Sequence, residues 1–295
     1  MLLDKPKGLL CTQVLNQLKK VTGREKIGHA GTLDPIADGL LIVGIGKATR
    51  ILSYIGELEK EYMCGAEMGK NTDSYDITGN ITYIHKGEFP EAEDIKITMN
   101  AFIGEINQVP PSYSAVKVKG VRSYKMARKG CLLELPARKI RIKSIEFVKW
   151  DKNERHFICK VTCSKGTYIR SLIMDIGARL KCGASVSSLR RLRIGEFHVG
   201  NGCRLESLDN LEFLKTNMLT VNDALYFLKP LFLNQRNLES LQKSGCFEIE
   251  FHDGRENDPN RIVKGITNNG KVYALLEQFQ KHNRLYYRTL CMLES

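Results

Sequence analysis

A chain of 295 residues with 42% hydrophobic, 26% charged and 8% aromatic residues has the composition of a folded protein with about two domains of core, which excludes a disordered, collagenous or coiled-coil chain. Its 45 Lys and Arg against 33 Asp and Glu give a formal charge of +12. The longest apolar run, Gly39 to Gly46, is eight residues with three glycines, far short of the roughly 20 that cross a bilayer. The opening MLLDKPKG has no secretory apolar stretch. Nine cysteines at irregular spacing without a CxxC fit neither a disulfide framework nor a zinc ribbon, so a reducing, cytoplasmic location without membrane contact is expected.

Along the chain, Gly39 to Gly46 reads as a buried strand, followed by a helical face of Ala48, Ile51, Leu52 and Ile55. Tyr62, Cys64, Ala66 and Met68 alternate as in a strand, which points Tyr62 to one defined face. Pro90 opens a helix carrying Ile95, Met99, Phe102 and Ile103, with Gly104 as its stop. Pro110 and Pro111 then break the chain. RKIRIKSIEFVKW and RHFICKVTC read as paired strands across a turn near Asp151 to Glu154, with Cys159, Val161 and Cys163 on one buried face. That reading outweighs a metal set of His156, Cys159 and Cys163, which lacks a fourth ligand of matching spacing. A helix from about Tyr168 to Leu180 places Ile169, Leu172, Ile173, Ile176 and Leu180 on one stripe, with Gly183 beyond its end. Past Lys229-Pro230, the segments CFEIEF, RIVKGIT, KVYALL and RLYYRTL, with the turn DGRENDPN, predict a small all-β tail. The expected class is α+β: a mixed α/β unit over residues 1–228 and a small β-rich domain over residues 229–295.

The distribution of charge says more than its sum. Lys117 to Lys143 contains ten Lys or Arg and one acid, Glu134, and Tyr113 and Tyr124 lie in or beside this run. A second cluster, RRLR, supplies Arg190, Arg191 and Arg193. Phosphates reward Lys and Arg through counterion release, and bases reward flat rings, so a nucleic-acid partner is expected. The tail from Lys229 to Ser295 is nearly balanced, ten basic against eight acidic residues, which assigns the polyanion field to the larger unit.

Two phosphate or metal loops can be dismissed. Gly46-Lys47 has Leu41 where a Walker loop needs Gly, and Ala48 where it needs Ser or Thr. In NTDSYDITG, Asp73, Asp76 and Gly79 lack the alternating acids and closing Glu of a calcium loop, so a polar turn is expected.

GHAGTLDPIADG at residues 28–39 is too small and turn-rich for a core strand, and it carries His29 and an aspartate, Asp34, fixed by Pro35. With KEY at 60–62, QVPPSYSAVKVKG at 108–120 and CSKGTYIRSL at 163–172, this block resembles, in order, the TruB family of tRNA pseudouridine synthases. The resemblance runs from LLDKPKG at 2–8 through SSLRRLRIGEF at 187–197. It implies a pseudouridine synthase fold, a mixed and mainly antiparallel sheet flanked by helices, and isomerisation of the T-loop uridine conventionally numbered 55 without metal or redox cofactor. Asp34 then corresponds to the catalytic carboxylate, its attack on C1′ or on the ring left open, and Arg170 to its pairing cation. Tyr62 corresponds to the ring that packs on the flipped uracil and assists proton transfer at C5, Tyr168 and Leu189 to other pocket walls, and His29 to the side chain that fills the space left by the flipped base. The stretch Lys117 to Lys129, with Lys117, Lys119 and Arg122, corresponds to an RNA-gripping insertion within the basic region near 108–143. The tail would be a PUA-like module contacting the acceptor stem. The partner implied is the tRNA T-stem-loop, with no guide RNA and a monomeric enzyme; the competing reading is a non-catalytic RNA-binding or tRNA-folding protein on the same fold. Two features depart from the family. Asp38 stands where many members carry Thr or Ser, and would raise the apparent pKa of the pair if it approached Asp34. Met1 stands almost on the first expected strand, so that strand or the chain's start is expected to be shortened.

Overall fold

The computed structural model describes residues 1–24, 26–114, 116–118, 120–123, 126, 135–209, 211–249, 261–282 and 284–293. The apolar run at Gly39 to Gly46 lies in a nine-residue strand, Ala37–Ile45. Its Leu41 and Val43 enter one core, while Leu40 and Ile42 enter another. Burial on both faces is why this strand reads as continuously apolar instead of alternating.

In chain order the larger unit contains β1 (Leu2–Lys5), α1 (Cys11–Thr22), β2 (Ile27–His29), β3 (Ala37–Ile45), α2 (Leu52–Glu57), β4 (Lys60–Met68), the hairpin of β5 (Lys70–Thr72) and β6 (Ile81–Ile84), α3 (Ala92–Asn100) and β7 (Gly104–Gln108). After these come β8 (Lys117–Val118) and β9 (Val121–Arg122), β10 (Arg138–Asp151), β11 (His156–Cys163), α4 (Ile169–Arg179), β12 (Ala184–Ile194), β13 (Phe197–His198) and β14 (Cys203–Arg204). The main sheet runs β14-β1-β3-β12-β4-β11-β10-β7, with β2 on β3 and β13 on β12. Only the β1/β14 and β12/β3 pairings along it are parallel, so the sheet is mixed and mainly antiparallel. One face carries α1, α3 and α4 through Val14, Leu18, Ile95, Met99, Leu172 and Ile176. The opposite face carries Ile51, Leu52 and Ile55 of the segment after β3, with Val272, Leu275 and Leu293 from the tail.

Several expected elements end differently. The segment holding Ala48 begins as a 3₁₀ turn, Gly46–Ile51, before α2. Helix α3 stops at Asn100, because Ala101 to Ile103 close into a turn and Gly104, at φ +111°, opens β7. The tail is not all-β. It contains β15 (Pro230–Phe232), a helix α5 (Gln235–Ser244), β16 (Cys246–Glu248), β17 (Ile262–Ile266), β18 (Val272–Lys281) and β19 (Arg284–Met292). Asn234 caps α5 by accepting from the Asn237 amide, and Gly245 ends it at φ +73°, both signals legible in the sequence. The five strands order as β15-β17-β18-β19-β16 over their own core of Leu233, Leu241, Val263, Tyr273 and Leu276. The turn DGRENDPN lies outside the described residues.

Helix α4 holds one group whose burial is unfavourable. Desolvation by burial pushes the Asp175 carboxyl up to about 6. A raised carboxyl binds its proton more tightly when folded, so its contribution is neutral below about pH 4, turns unfavourable between about 4 and 6, and stays so above. Asp175→Asn is therefore expected to raise unfolding free energy at pH 7.5 by about 1–2 kcal/mol after allowance for solvent screening, with no gain at pH 4. Denaturant titrations at the two pH values check this, and an equal effect at both would refute it.

Candidate active site

Asp34 sits in the turn between β2 and β3. Cys11, opening α1, accepts from the Leu33 amide at 3.3 Å and donates its thiol to the Leu33 carbonyl at 3.4 Å. The Asp34 carbonyl accepts from Ala37 N at 3.0 Å, and the Pro35 carbonyl from Gly8 N at 2.7 Å. Both flanks of the aspartate are thus fixed, while its side chain remains 34% exposed. Such a carboxylate is held in place and still open to a ligand.

Arg170, in the first turn of α4, is 4% exposed. Its Nε donates to Asp34 Oδ2 at 2.8 Å, Nη1 to the Ser74 carbonyl at 2.7 Å and Nη2 to the Tyr113 carbonyl at 2.9 Å. Asp76 Oδ2 lies 3.5 Å from Nη1. Asp76 is itself buried, its Oδ1 accepting from Ser74 Oγ and the Thr78 amide, each at 3.0 Å. A planar guanidinium can serve these divergent acceptors at once, which an ammonium cannot. Every arm of the fork is therefore engaged by protein, and Arg170 presents Asp34 with a fixed orientation.

Two rings lie within the field of the Asp34 carboxylate. Tyr62 is half-buried on β4; burial raises its phenol above the ordinary tyrosine value, and the Arg191 guanidinium opposes that rise. Tyr168 caps α4, its amide donating to Gln108 Oε1 at 2.8 Å and its carbonyl accepting from Gln108 Nε2 at 3.0 Å. Burial raises its phenol as well, and the Asp34 charge acts in the same direction on both rings. Leu189 on β12 is 7% exposed, in register with Cys64 of β4 and Ala37 of β3. His29 ends β2; burial, then Arg191, lowers its pKa below the usual histidine value, so it is neutral near pH 7. Its Nδ1 is buried and finds no hydrogen-bond partner among the described residues.

A fixed but accessible aspartate, a buried arginine clamped onto it and two rings within its field form one constellation. Residues 19–169 match the family model described as TruB family pseudouridylate synthase (N terminal domain), and residues 170–231 match that of the tRNA pseudouridylate synthase B C-terminal domain. The chain belongs to the TruB family. A protein named tRNA pseudouridine synthase B from Clostridium perfringens (strain 13 / Type A) is 35% identical over 285 residues, 95% of each chain. One of that name from Clostridium kluyveri is 42% identical over 224 residues, 76% of each. A third, from Francisella tularensis subsp. novicida, is 37% identical over 254 residues, 85% of this chain and 83% of its own. Among solved structures, a Cbf5-Nop10-Gar1 complex superposes with a TM-score of 0.73 at 24% identity, covering 99% of this chain and 84% of that one. An H/ACA RNP bound to a substrate RNA containing 2′-deoxyuridine gives 0.72 at 23%, with the same coverage. At such identities the two structures speak to the fold alone.

The second basic cluster of this TruB chain does not form a phosphate-binding patch. Arg190 pairs with Asp38 at 3.0 Å and Asp4 at 2.6 Å. Arg193 pairs with Glu59 at 2.9 Å, and Arg191 is only 1% exposed. All three side chains are engaged by protein acceptors, Arg190 while still partly exposed, because β12 runs through the middle of the sheet. The same contacts give Asp38 a cation of its own. Of the other basic candidates, Lys117 and Arg122 are paired in backbone register in the β8/β9 hairpin; Lys119 lies outside the described residues.

Asp76, in a segment expected to be a polar turn, has a second role. The turn is there, with Asp73 accepting from the Asn80 amide at 2.9 Å, but Asp76 also backs the Arg170 guanidinium. No periodicity or spacing signals this, since Asp76 and Arg170 meet only through the packing of α4 on the sheet. The metal alternative at His156 is occupied otherwise: its Nε2 lies 2.8 Å from Ser187 Oγ, and Cys159 and Cys163 are buried in the core.

Proposed function

We propose that this TruB-family enzyme, a tRNA pseudouridine synthase acting on position 55, uses Asp34 as its catalytic carboxylate. The observation that carries this reading is the Arg170 clamp, 4% exposed and bonded to Asp34 Oδ2 at 2.8 Å. A cation so deeply buried is of no use for gripping phosphates, and its role is to hold an ionised carboxylate where a nucleotide can reach it.

The reaction is an isomerisation. The N1–C1′ bond of uridine breaks, the uracil turns, and a C5–C1′ bond forms. The proton leaves C5 and N1 ends protonated, so no water, oxidant or reductant enters the balance. Asp34 supplies the electron pair, to C1′ or to the ring, that makes the glycosidic bond cleavable. Tyr62 stacks on the flipped base and handles the C5 proton, Tyr168 and Leu189 wall the pocket, and His29, neutral in its buried setting, fills the gap in the RNA stack. The insertion bearing Lys117, Lys119 and Arg122 grips the T-stem backbone. Residues 229–295 form a separate PUA-like contact to the acceptor stem, residues 1–228 being the catalytic unit; the five-stranded tail sheet with its own core supports this division. The enzyme needs no guide RNA and works as a cytoplasmic monomer. Among the described residues, no helix is long and apolar enough to cross a membrane.

The test is pseudouridine formation by the lone protein on an unmodified tRNA transcript, mapped to the nucleotide. A product at the T-loop position supports the reading, and tight binding without product favours a binding protein. Affinity should fall roughly 10- to 1000-fold between 50 and 200 mM salt if the basic insertion contacts several phosphates. A flat response would remove that role.

A further inference from the structure

Arg191 is the largest side chain that the fold buries almost completely, at 1% exposure. Its neighbours Arg190 and Arg193 pair with carboxylates, but Arg191 donates from Nε to the Leu40 carbonyl at 2.7 Å and from Nη2 to the Gly31 carbonyl at 3.1 Å. Gly31 belongs to the turn that delivers Asp34. In the β12/β4 pairing Arg191 stands directly opposite Tyr62, so both side chains leave the sheet on the same face. The guanidinium lies near enough on that face for its charge to favour the ionised form of the Tyr62 phenol, against the burial that raises it. Backbone geometry is adapted to this path. Gly39, in register with Arg191, adopts φ +100°, and a Cβ there would lie 2.3 Å from the Arg191 carbonyl oxygen. Any side chain at residue 39 would push β12 away from β3 and withdraw the guanidinium from the turn.

A buried cation whose donors end on main-chain oxygens is costly, and a long apolar side chain would fill the same volume without that desolvation. Phosphate binding does not account for it either, since no RNA reaches a side chain this deep. What the guanidinium alone can do is join two parts of the site that come from different elements, the Gly31 turn and the β4 tyrosine.

We propose that Arg191 is a positioning residue for the isomerisation, a buried bracket that sets the Tyr62 phenol and the Asp34 turn in one fixed relation so that ring and carboxylate meet the flipped uridine together. The proposal rests on Tyr62 acting on the base, as argued above. It assigns to the RRLR segment a task inside the site in place of an external one.

The experiment is a double-mutant cycle on the full chain with unmodified tRNA transcript, using Arg191→Met, Tyr62→Phe and the double variant, read by single-turnover rate and by tRNA affinity. Arg191→Met is expected to slow the chemical step about 100-fold and to leave affinity within about threefold, because an inaccessible side chain makes no RNA contact. The double variant should lose at least about tenfold less than the product of the single losses, since the tie to the phenol is already gone in Tyr62→Phe and only the Gly31 turn is left to hold. Arg191→Lys keeps the charge and part of the reach, so it should recover about tenfold of the loss; if Arg191→Met does not fold, Arg191→Lys completes the cycle. A rate for Arg191→Met within threefold of the parent overturns the proposal. So does a double variant whose loss equals the product of the single losses, which is what a merely structural role gives. Full activity in Tyr62→Phe would instead remove the assignment of Tyr62 itself, and the proposal with it.

Discussion

Asp34→Asn is expected to lower single-turnover pseudouridine formation by about 10⁴-fold or more while tRNA affinity stays within about threefold. Asparagine has nearly the same shape, and its carbonyl oxygen still accepts from Arg170 Nε, so the turn fixed by Cys11 and Ala37 persists. On the proposed mechanism, what disappears is the anionic electron pair that engages the nucleotide. On the proposed reading affinity rests on the basic insertion, so it is expected to be spared. Stability should drop by about 1–3 kcal/mol, since the buried guanidinium loses one of its charged partners but keeps Asp76 and two carbonyls. The checks are a rate measurement with excess enzyme, a binding titration and a thermal melt. Comparable activity in the variant would discard Asp34 as catalyst.

Arg170→Lys should be nearly as severe, although it keeps the charge. The three nitrogens of Arg170 point in three directions, to Asp34, Ser74 O and Tyr113 O, and one ammonium on a flexible stem cannot serve all of them. The Ser74 or the Tyr113 carbonyl then loses its donor, and Asp34 is free to rotate. We expect the rate to fall about 10²- to 10³-fold and stability to fall by about 2–4 kcal/mol, the second from unsatisfied buried acceptors. Tyr113 lies at the base of the basic insertion, so the same change should also loosen the described residues 112–114, 116–118 and 120–123. Faster amide exchange there than in the parent is the expected sign. A variant with normal rate and normal melting temperature would show that charge alone suffices.

Much of this molecule is legible in its residue order. Strand alternation gives β4 and β11 with the correct buried face, because Cys64, Ala66, Cys159, Val161 and Cys163 repeat with period two. The apolar stripe from Ile169 to Ile176 gives α4 nearly to its ends. Where reading failed, the failures have separate causes. The helix Gln235–Ser244 had a cap and a stop that went unused beside a texture of short strands. The end of α3 was misplaced because Phe102 keeps helical spacing and still packs on the core from a turn.

The sequence alone determined the class of fold, the family and the candidate set of Asp34, Tyr62, Tyr168, Arg170 and Leu189, because local periodicity and short motifs are properties of neighbouring residues. Only the tertiary structure decided what each charge does. Arg190, Arg191 and Arg193 are alike on paper, yet two end in ion pairs and one is buried against Leu40 and Gly31, residues 151 and 160 positions away. Asp76 went from a turn residue to a support for Arg170 in the same way. A cation's fate depends on which acceptors the packed strands bring within about 3 Å, and no local pattern encodes contacts over such separations.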